Sequence, residues 1–87
     1  SKLIIVTGVE KVALGFGTDR QKDLSRLTAA EAKTYLARGE FPAGSMGPKI
    51  QAAVNFLENG GEEVIITSIE KTALAIKGRS GTRIVME

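Results

Sequence analysis

The segment GSMGPK at residues 44–49 has the composition of an anion site at the start of a helix. Pro48 suits the first turn of a helix, and apolar residues follow it at helical spacing. Lys49 therefore falls in that first turn, where the partial positive charge of the helix end disfavours a cation by roughly 0.3–1 kcal/mol. The conflict disappears if an anion binds there, because free backbone N–H groups, the helix dipole and the ammonium would all attract it. Phosphate is the ligand that we expect.

The neighbouring residues fit this interpretation and also have an ordinary one. Gly44 and Gly47 would leave room for an anion to approach the backbone, and Ser45 could donate from its hydroxyl. Glycine and serine are also common at helix starts that bind no ligand, and Lys49 could extend into solvent. The spacing of a Walker A loop is absent.

The composition excludes several other kinds of site. The 87 residues include no Cys and no His, so the chain supplies no disulfide, no zinc, haem or iron–sulfur ligand set, and no Ser–His or Cys–His nucleophile pair. The net charge is only +2 and the 12 basic residues never form a run, so we expect no nucleic-acid interface. Apolar runs of three or four residues are too short to span a membrane. A cytoplasmic location fits a chain without Cys.

The elements that must position this segment alternate between extended and helical patterns. Residues Leu3 to Thr7 are apolar and β-branched without polar alternation, which predicts a strand buried on both faces. Thr28 and Glu31 have the spacing of a capping box, which predicts the start of a helix. The polar residues 18–26 predict a surface loop. We further predict a weak extended piece at 11–14, helices at about 29–38, 48–59 and 69–77, and strands at 63–67 and 82–85.

This order of elements predicts an α/β fold with a mainly parallel sheet. Two strands that are buried on both faces need covering layers on each side, yet the chain supplies only about three substantial strands and three helices. We therefore expect residues 1–87 to be one piece of a larger α/β protein, without an internal domain boundary. A small free-standing α/β domain is the alternative.

Three blocks of the sequence resemble carbamate kinases of the amino-acid kinase superfamily. They are LIIVTGVE at 3–10, FPAGSMGPKIQAA with FLENGG at 41–61, and GRSGTRI at 78–84. The blocks follow the family's order and spacing, and they match only the C-terminal part of such an enzyme, which is several times longer. The resemblance implies the nucleotide-binding portion of a three-layer α/β/α sandwich. It also implies Mg²⁺-dependent phosphoryl transfer, in which ATP and carbamate interconvert with ADP and carbamoyl phosphate.

The resemblance further implies roles for individual residues. Lys49 matches a lysine that contacts the transferring or terminal phosphates, and it is the expected catalytic residue. The expected nucleotide-binding residues match the turn before Lys49, an aromatic position near the adenine and the end of the first strand: Gly44, Ser45, Met46, Phe16, Thr7 and Gly8. We assign no metal ligand to this chain, and expect the acid that organises Mg²⁺ to lie outside it. Phosphoryl transfer requires positioning and charge neutralisation, so the missing His and Cys are no objection.

Some residues and alternatives stay open at this point. Gly15 and residues 18–20 depart from the pattern of many relatives, Phe16 could equally fill the core, and Glu10 is more simply a solvated carboxylate than a Mg²⁺ ligand. The first functional hypothesis is a carbamate kinase-like phosphotransferase, inactive as an isolated fragment, whose partners are the N-terminal part of the kinase and a second copy in a homodimer. The second is a non-catalytic nucleotide-binding or interaction module of the same fold. The third is a kinase for another acyl phosphate, similar to acetylglutamate or aspartate kinases.

Overall fold

The computed structural model describes residues 1–87 and contains six strands and three helices. A four-stranded sheet has the order β1-β5-β6-β4, and β2 and β3 form a separate two-stranded sheet. The strands are β1 (Lys2–Thr7), β2 (Val12–Leu14), β3 (Lys22–Leu24), β4 (Arg26–Thr28), β5 (Glu63–Ser68) and β6 (Thr82–Val85), and the helices are α1 (Ala29–Ala37), α2 (Met46–Glu58) and α3 (Thr72–Ile76). No helix is long and apolar enough to cross a membrane.

The sheet is mixed, with two parallel pairings and one antiparallel pairing. β1 is parallel to β5 and β4 is parallel to β6, whereas β5 and β6 are antiparallel. The helices α1 and α2 contribute to the main core on one face, and α3 packs near Thr67 on the other. These observations confirm the predicted α/β class and a sheet whose pairings are mostly parallel.

The main core forms where α2 packs on the sheet. Its apolar stripe recurs at helical spacing and is buried against the inward side chains of β5 and β6. The stripe consists of Ile50, Ala53, Val54 and Leu57, and the strand residues are Val64, Ile66 and Ile84. This contact fixes the position of α2 relative to β5, and therefore to β1 beside it.

The helix α1 begins where the sequence predicted. The Thr28 hydroxyl accepts from the Glu31 N–H at 3.1 Å, and the Glu31 carboxylate accepts from the Thr28 N–H at 2.9 Å. Hydrogen bonds from the Thr28 backbone and side chain hold the pKa of Glu31 below its ordinary value. Gly39 follows the helix with a φ of 72°, which is the left-handed stop that the pattern predicted.

The prediction that β1 is buried on both faces is wrong for this chain. Ile4 and Val6 are 40% and 44% exposed, because β1 is an edge strand. The burial of β1 alternates with the period of a strand that has one covered face. β5 is central and is buried from Val64 to Ser68, as predicted.

Three further predictions are corrected by the structure. The predicted loop at 18–26 contains β3 and the start of β4, so the chain has more strands than the three expected. Three-residue strands are too short to show alternation, and they are held by distant partners in β2 and β6. α2 begins two residues earlier than predicted, at Met46. α3 is shorter than predicted, and Ile69 before it is 77% exposed.

A buried threonine ties the two-stranded sheet to the main one. The Thr82 hydroxyl accepts from the Val12 N–H at 2.8 Å and donates to the Leu24 carbonyl. Since Thr82 begins β6, this contact fixes β2 and β3 beside the end of the main sheet. The loop between β1 and β2 is therefore held at both of its ends.

Candidate functional site

A cavity of about 330 Å³ lies between the carboxyl end of β1, the start of α2 and the chain around β2. Six of the seven residues predicted for a nucleotide site line it: Thr7, Gly8, Phe16, Ser45, Met46 and Lys49. They come from three separate parts of the sequence. β1 pairs in parallel with β5, and α2 packs on the same sheet. The carboxyl end of β1 and the start of α2 therefore lie together at one edge of the sheet.

Lys49 is held at the end of β1. Its ammonium donates to the Thr7 hydroxyl oxygen at 2.8 Å, and the side chain is half-buried. The ammonium has no carboxylate partner, since the ion pairs of the chain involve other cations. A cation that is fixed by a neutral hydroxyl keeps its charge available for an anionic ligand.

The backbone at the start of α2 offers less to an anion than the sequence suggested. The N–H groups of Ser45 and Gly47 both donate to the Pro42 carbonyl, at 3.2 and 2.9 Å, and Pro48 has no N–H. A tight turn over residues 42–45 uses these donors. Two of the amides expected to be free at this helix end are therefore used within the protein, whereas the Met46 N–H makes no hydrogen bond within the chain. An anion here would be attracted by the lysine side chain and by fewer backbone donors than expected.

The two glycines of the segment have different explanations. A methyl group on Gly47 would lie 3.1 Å from the Pro42 carbonyl oxygen, so this glycine allows the turn to pack on the helix. A methyl group on Gly44 would meet no atom within 4 Å, and its φ is not positive. Gly44 is the predicted residue that does not line the cavity. Neither packing nor backbone geometry requires glycine at this position.

Lys11 is a second cation in the wall that the sequence analysis did not identify. Its ammonium donates to the Ser25 hydroxyl oxygen at 2.9 Å. With Lys49 it gives the wall two positive charges, and no carboxylate lines the cavity. The sequence could have indicated Lys11 only through its position between the end of β1 and the start of β2, since an isolated lysine forms no pattern.

Phe16 supplies an apolar surface to the same cavity. It is 56% exposed and lies outside the main core, so the alternative that it fills the core is wrong. Met46 and Val9 add further apolar wall. The cavity thus combines a cationic part with an apolar part, which suits a ligand with a charged group and a planar apolar ring.

Acidic residues do not form a metal centre in this structure. No group of three or more Asp or Glu side chains is arranged to hold a metal ion. The Glu10 carboxylate accepts a hydrogen bond from the Ser80 hydroxyl and does not line the cavity. Its position agrees with the simpler interpretation of Glu10 as a solvated carboxylate.

Comparison with known proteins gives consistent matches over this chain. Residues 1–68 match the model of the "Amino acid kinase family". The chain is 49% identical over 83 residues to the "Carbamate kinase-like protein YahI" of Escherichia coli K12, covering 95% of this chain and 26% of that protein. It is 45% identical over 82 residues to a carbamate kinase of Thermoplasma volcanium, covering 94% of this chain and 27% of that protein.

A solved structure shows the same arrangement of elements. The carbamate kinase of Giardia lamblia, solved bound to AMP-PNP, superimposes with a TM-score of 0.91 at 34% identity, over 97% of this chain and 27% of that chain. The chain therefore spans about a quarter of the length of the relatives that it matches. This match confirms the predicted fold class.

Proposed function

The chain belongs to the amino acid kinase family, and on this basis we propose that it is the nucleotide-binding part of a carbamate kinase-like phosphotransferase. The reaction interconverts ATP and carbamate with ADP and carbamoyl phosphate. The observation that carries the proposal is the position of Lys49, whose ammonium is fixed by Thr7 in a cavity that has two lysines and no carboxylate in its wall. Relatives named carbamate kinase support the choice of substrate.

Different residues of the cavity bind different parts of the nucleotide. The phosphates lie toward Lys49 and Lys11, and the adenine lies against Phe16 and Met46. The open space beside Gly8, where a methyl group would meet no protein atom, lets the phosphates approach the backbone. The structure of a relative with bound AMP-PNP supports a nucleotide as the ligand.

Lys49 acts on the reacting atoms by charge alone. As the phosphoryl group passes between carbamate and ADP, negative charge spreads over its equatorial oxygens. A preorganised ammonium beside those oxygens stabilises the transition state more than the ground state. Thr7 is a positioning residue in this scheme, because it holds the ammonium at the end of β1.

The remaining groups of the reaction lie outside this chain or come with the nucleotide. Mg²⁺ would supply neutralisation of the phosphate charge. The cavity wall in this chain has no carboxylate to hold it, so the acid that would organise it is expected in the rest of the protein. Carbamate or carbamoyl phosphate binds to the rest of the protein, and the 87 residues alone are inactive. The resemblance alone supports a cytoplasmic homodimer for the complete enzyme.

The test is the substitution Lys49→Ala in the complete protein that carries this chain. ATP formation from carbamoyl phosphate and ADP should fall by about 100-fold or more in kcat, the typical effect of losing one charge-stabilising donor. Lys77→Ala is the matched control, because Lys77 is exposed, forms no ion pair and lies outside the cavity. Unfolding curves show whether both variants fold. Near-normal turnover of a folded Lys49→Ala variant would refute the proposed role.

The same assay separates the two other hypotheses. If the complete wild-type protein binds ADP but forms no ATP from carbamoyl phosphate, and none from other acyl phosphates, it is a nucleotide-binding module without transfer. If it uses acetylglutamyl or aspartyl phosphate instead, it is a kinase for another acyl group. The names of the relatives at 40–46% identity favour carbamoyl phosphate over both.

A further inference from the structure

A second cavity, of about 220 Å³, adjoins the first. Lys11 lines both of them. The second cavity is bounded by the loop between α3 and β6, by Arg83 of β6 and by Ser25 between β3 and β4. None of the residues predicted for the nucleotide site lies in its wall, so it is a separate feature of the molecule.

The charged residues of this wall are all cations. They are Lys11, Arg79 and Arg83. No carboxylate lines the cavity, although the Glu10 carboxylate outside the wall accepts from the hydroxyl of Ser80 within it. Arg83 pairs with Glu63 from outside the wall. Arg79 has no ion pair, and Lys11 donates only to the neutral Ser25 hydroxyl. Two of the three positive charges are therefore left without a protein anion.

The loop between α3 and β6 adds polar donors to the same wall. The backbone N–H groups of Ser80 and Gly81 make no hydrogen bond within the protein. Gly81 is buried and has a φ of 76°, and a methyl group there would lie 2.8 Å from the Ile66 carbonyl oxygen. These backbone N–H groups are therefore free to donate to an acceptor in the cavity, since no protein group uses them.

We propose that this second cavity binds the phosphate group of a small molecule, held by Lys11, Arg79 and Arg83. A phosphate group offers several acceptor oxygens and two negative charges, which match a guanidinium fork, an ammonium and backbone donors. Cavities for drug-sized ligands have volumes of roughly 300–1,000 Å³. The second cavity is smaller, so its ligand is inorganic phosphate or a short phosphomonoester, not a second nucleotide.

Calorimetric titration of the complete protein tests this site with two probes, inorganic phosphate and glycerol 3-phosphate. The titrations use the Lys49→Ala variant, so that the first cavity contributes little. We expect one probe or both to bind, and Arg79→Ala in that background to weaken binding at least tenfold. Tighter binding of the ester than of inorganic phosphate would identify a phosphomonoester as the ligand, and the reverse would identify free phosphate.

A crossed set of variants keeps the two sites distinct. Arg79→Ala should leave ADP binding unchanged. Lys11→Ala should weaken the binding of ADP and of the phosphate probes, and Lys77→Ala should change the binding of neither. Arg79 is exposed, so its substitution should not unfold the chain, which an unfolding curve checks. The absence of binding by both probes would overturn the proposal. So would equal losses for Lys77→Ala and Arg79→Ala, since these would show general surface charge. Neither result depends on phosphoryl transfer.

Discussion

Lys49 and Thr7 show how one side-chain contact joins two distant parts of the sequence. They are separated by 42 positions, and the hydrogen bond between them joins α2 to the end of β1 in the wall of the cavity. The sequence indicated Lys49 because a cation in the first turn of a helix is unfavourable without a ligand. In the structure the Lys49 ammonium donates to the Thr7 hydroxyl oxygen at the end of β1. Because no carboxylate pairs with this ammonium, its positive charge remains available for an anionic ligand.

Gly44 offers a test that separates a ligand role from a structural one. Gly44→Ala adds a methyl group that meets no protein atom, in a backbone conformation that alanine accepts. We therefore expect an unchanged unfolding midpoint and a several-fold weaker affinity for ADP, because the methyl group would stand on the residue next to Ser45, which lines the cavity. Calorimetric titration of the complete protein and a thermal unfolding curve measure the two quantities.

Gly81→Ala is the matched contrast for that experiment. Its methyl group would lie 2.8 Å from the Ile66 carbonyl oxygen, at a φ of 76°, so this variant should lose stability. A Gly44→Ala variant that unfolds early would assign Gly44 a packing role instead. Unchanged ADP affinity would remove it from the site.

The sequence predicted most of the site at the residue scale, through one motif and one resemblance. Thr7 and Lys49 were identified because they belong to blocks with the family's order, and Phe16 because it matches an aromatic position of the family. Lys11 was not identified, because nothing in its immediate neighbours marks an isolated lysine as part of a cavity. Whether the amides of Ser45 and Gly47 are free also could not be predicted, since it depends on the turn that brings Pro42 close.

The helix α1 allows a prediction at the scale of a single element. Thr28→Ala removes the hydroxyl that caps the Glu31 N–H, and the free energy of unfolding should fall by about 1 kcal/mol. Thr28→Ser keeps the acceptor and should cost much less. Urea unfolding at neutral pH measures both variants. Equal stabilities of the alanine variant and the wild type would contradict the role of the cap.

The capping box also predicts the direction of a pH effect. Because hydrogen bonds from Thr28 lower the pKa of Glu31 in the folded state, the ionised carboxylate favours folding above the unfolded pKa. That contribution is lost as the pH falls from about 4.3, the ordinary value for Glu, through the lower folded pKa. Glu31→Gln should therefore weaken the loss of stability in acid. An identical pH dependence in this variant and the wild type would contradict the assignment.

Elements with strong local signals were predicted, and elements held by distant partners were not. α1 has a cap and a stop, and α2 has a buried stripe of four residues. β3 and β4 have three residues each, and their partners are β2 and β6. Three residues cannot show an alternating pattern, so the polar composition of residues 18–26 indicated a loop.

In the whole molecule, the position of β1 in the sheet explains why its composition led to a wrong prediction of its burial. The apolar, β-branched residues from Leu3 to Val6 are typical of a strand that is covered on both faces. In this chain β1 lies at the edge of the sheet, with Ile4 and Val6 exposed. The chain spans about a quarter of its relatives, so we expect further protein to cover this face in the complete molecule.

If this chain binds the nucleotide and the rest of the protein binds the second substrate, the isolated chain should be inactive. The 87 residues should not form ATP from carbamoyl phosphate and ADP, because carbamoyl phosphate is proposed to bind to the rest of the protein. A coupled luminescence assay of the purified chain, beside the complete protein at equal concentration, measures this. Turnover by the isolated chain would show that it also binds the second substrate, and the division of roles would be wrong.

Lysine labelling of the complete protein with and without ADP reports whether the nucleotide lies against Lys49, without any substitution. Mass spectrometry after brief treatment with an acylating reagent gives the extent of modification at each lysine. We expect ADP to protect Lys49 strongly and Lys11 in part, whereas Lys77, which is exposed and outside the cavity, should react equally in both samples. Equal modification of Lys49 with and without saturating ADP would contradict the account.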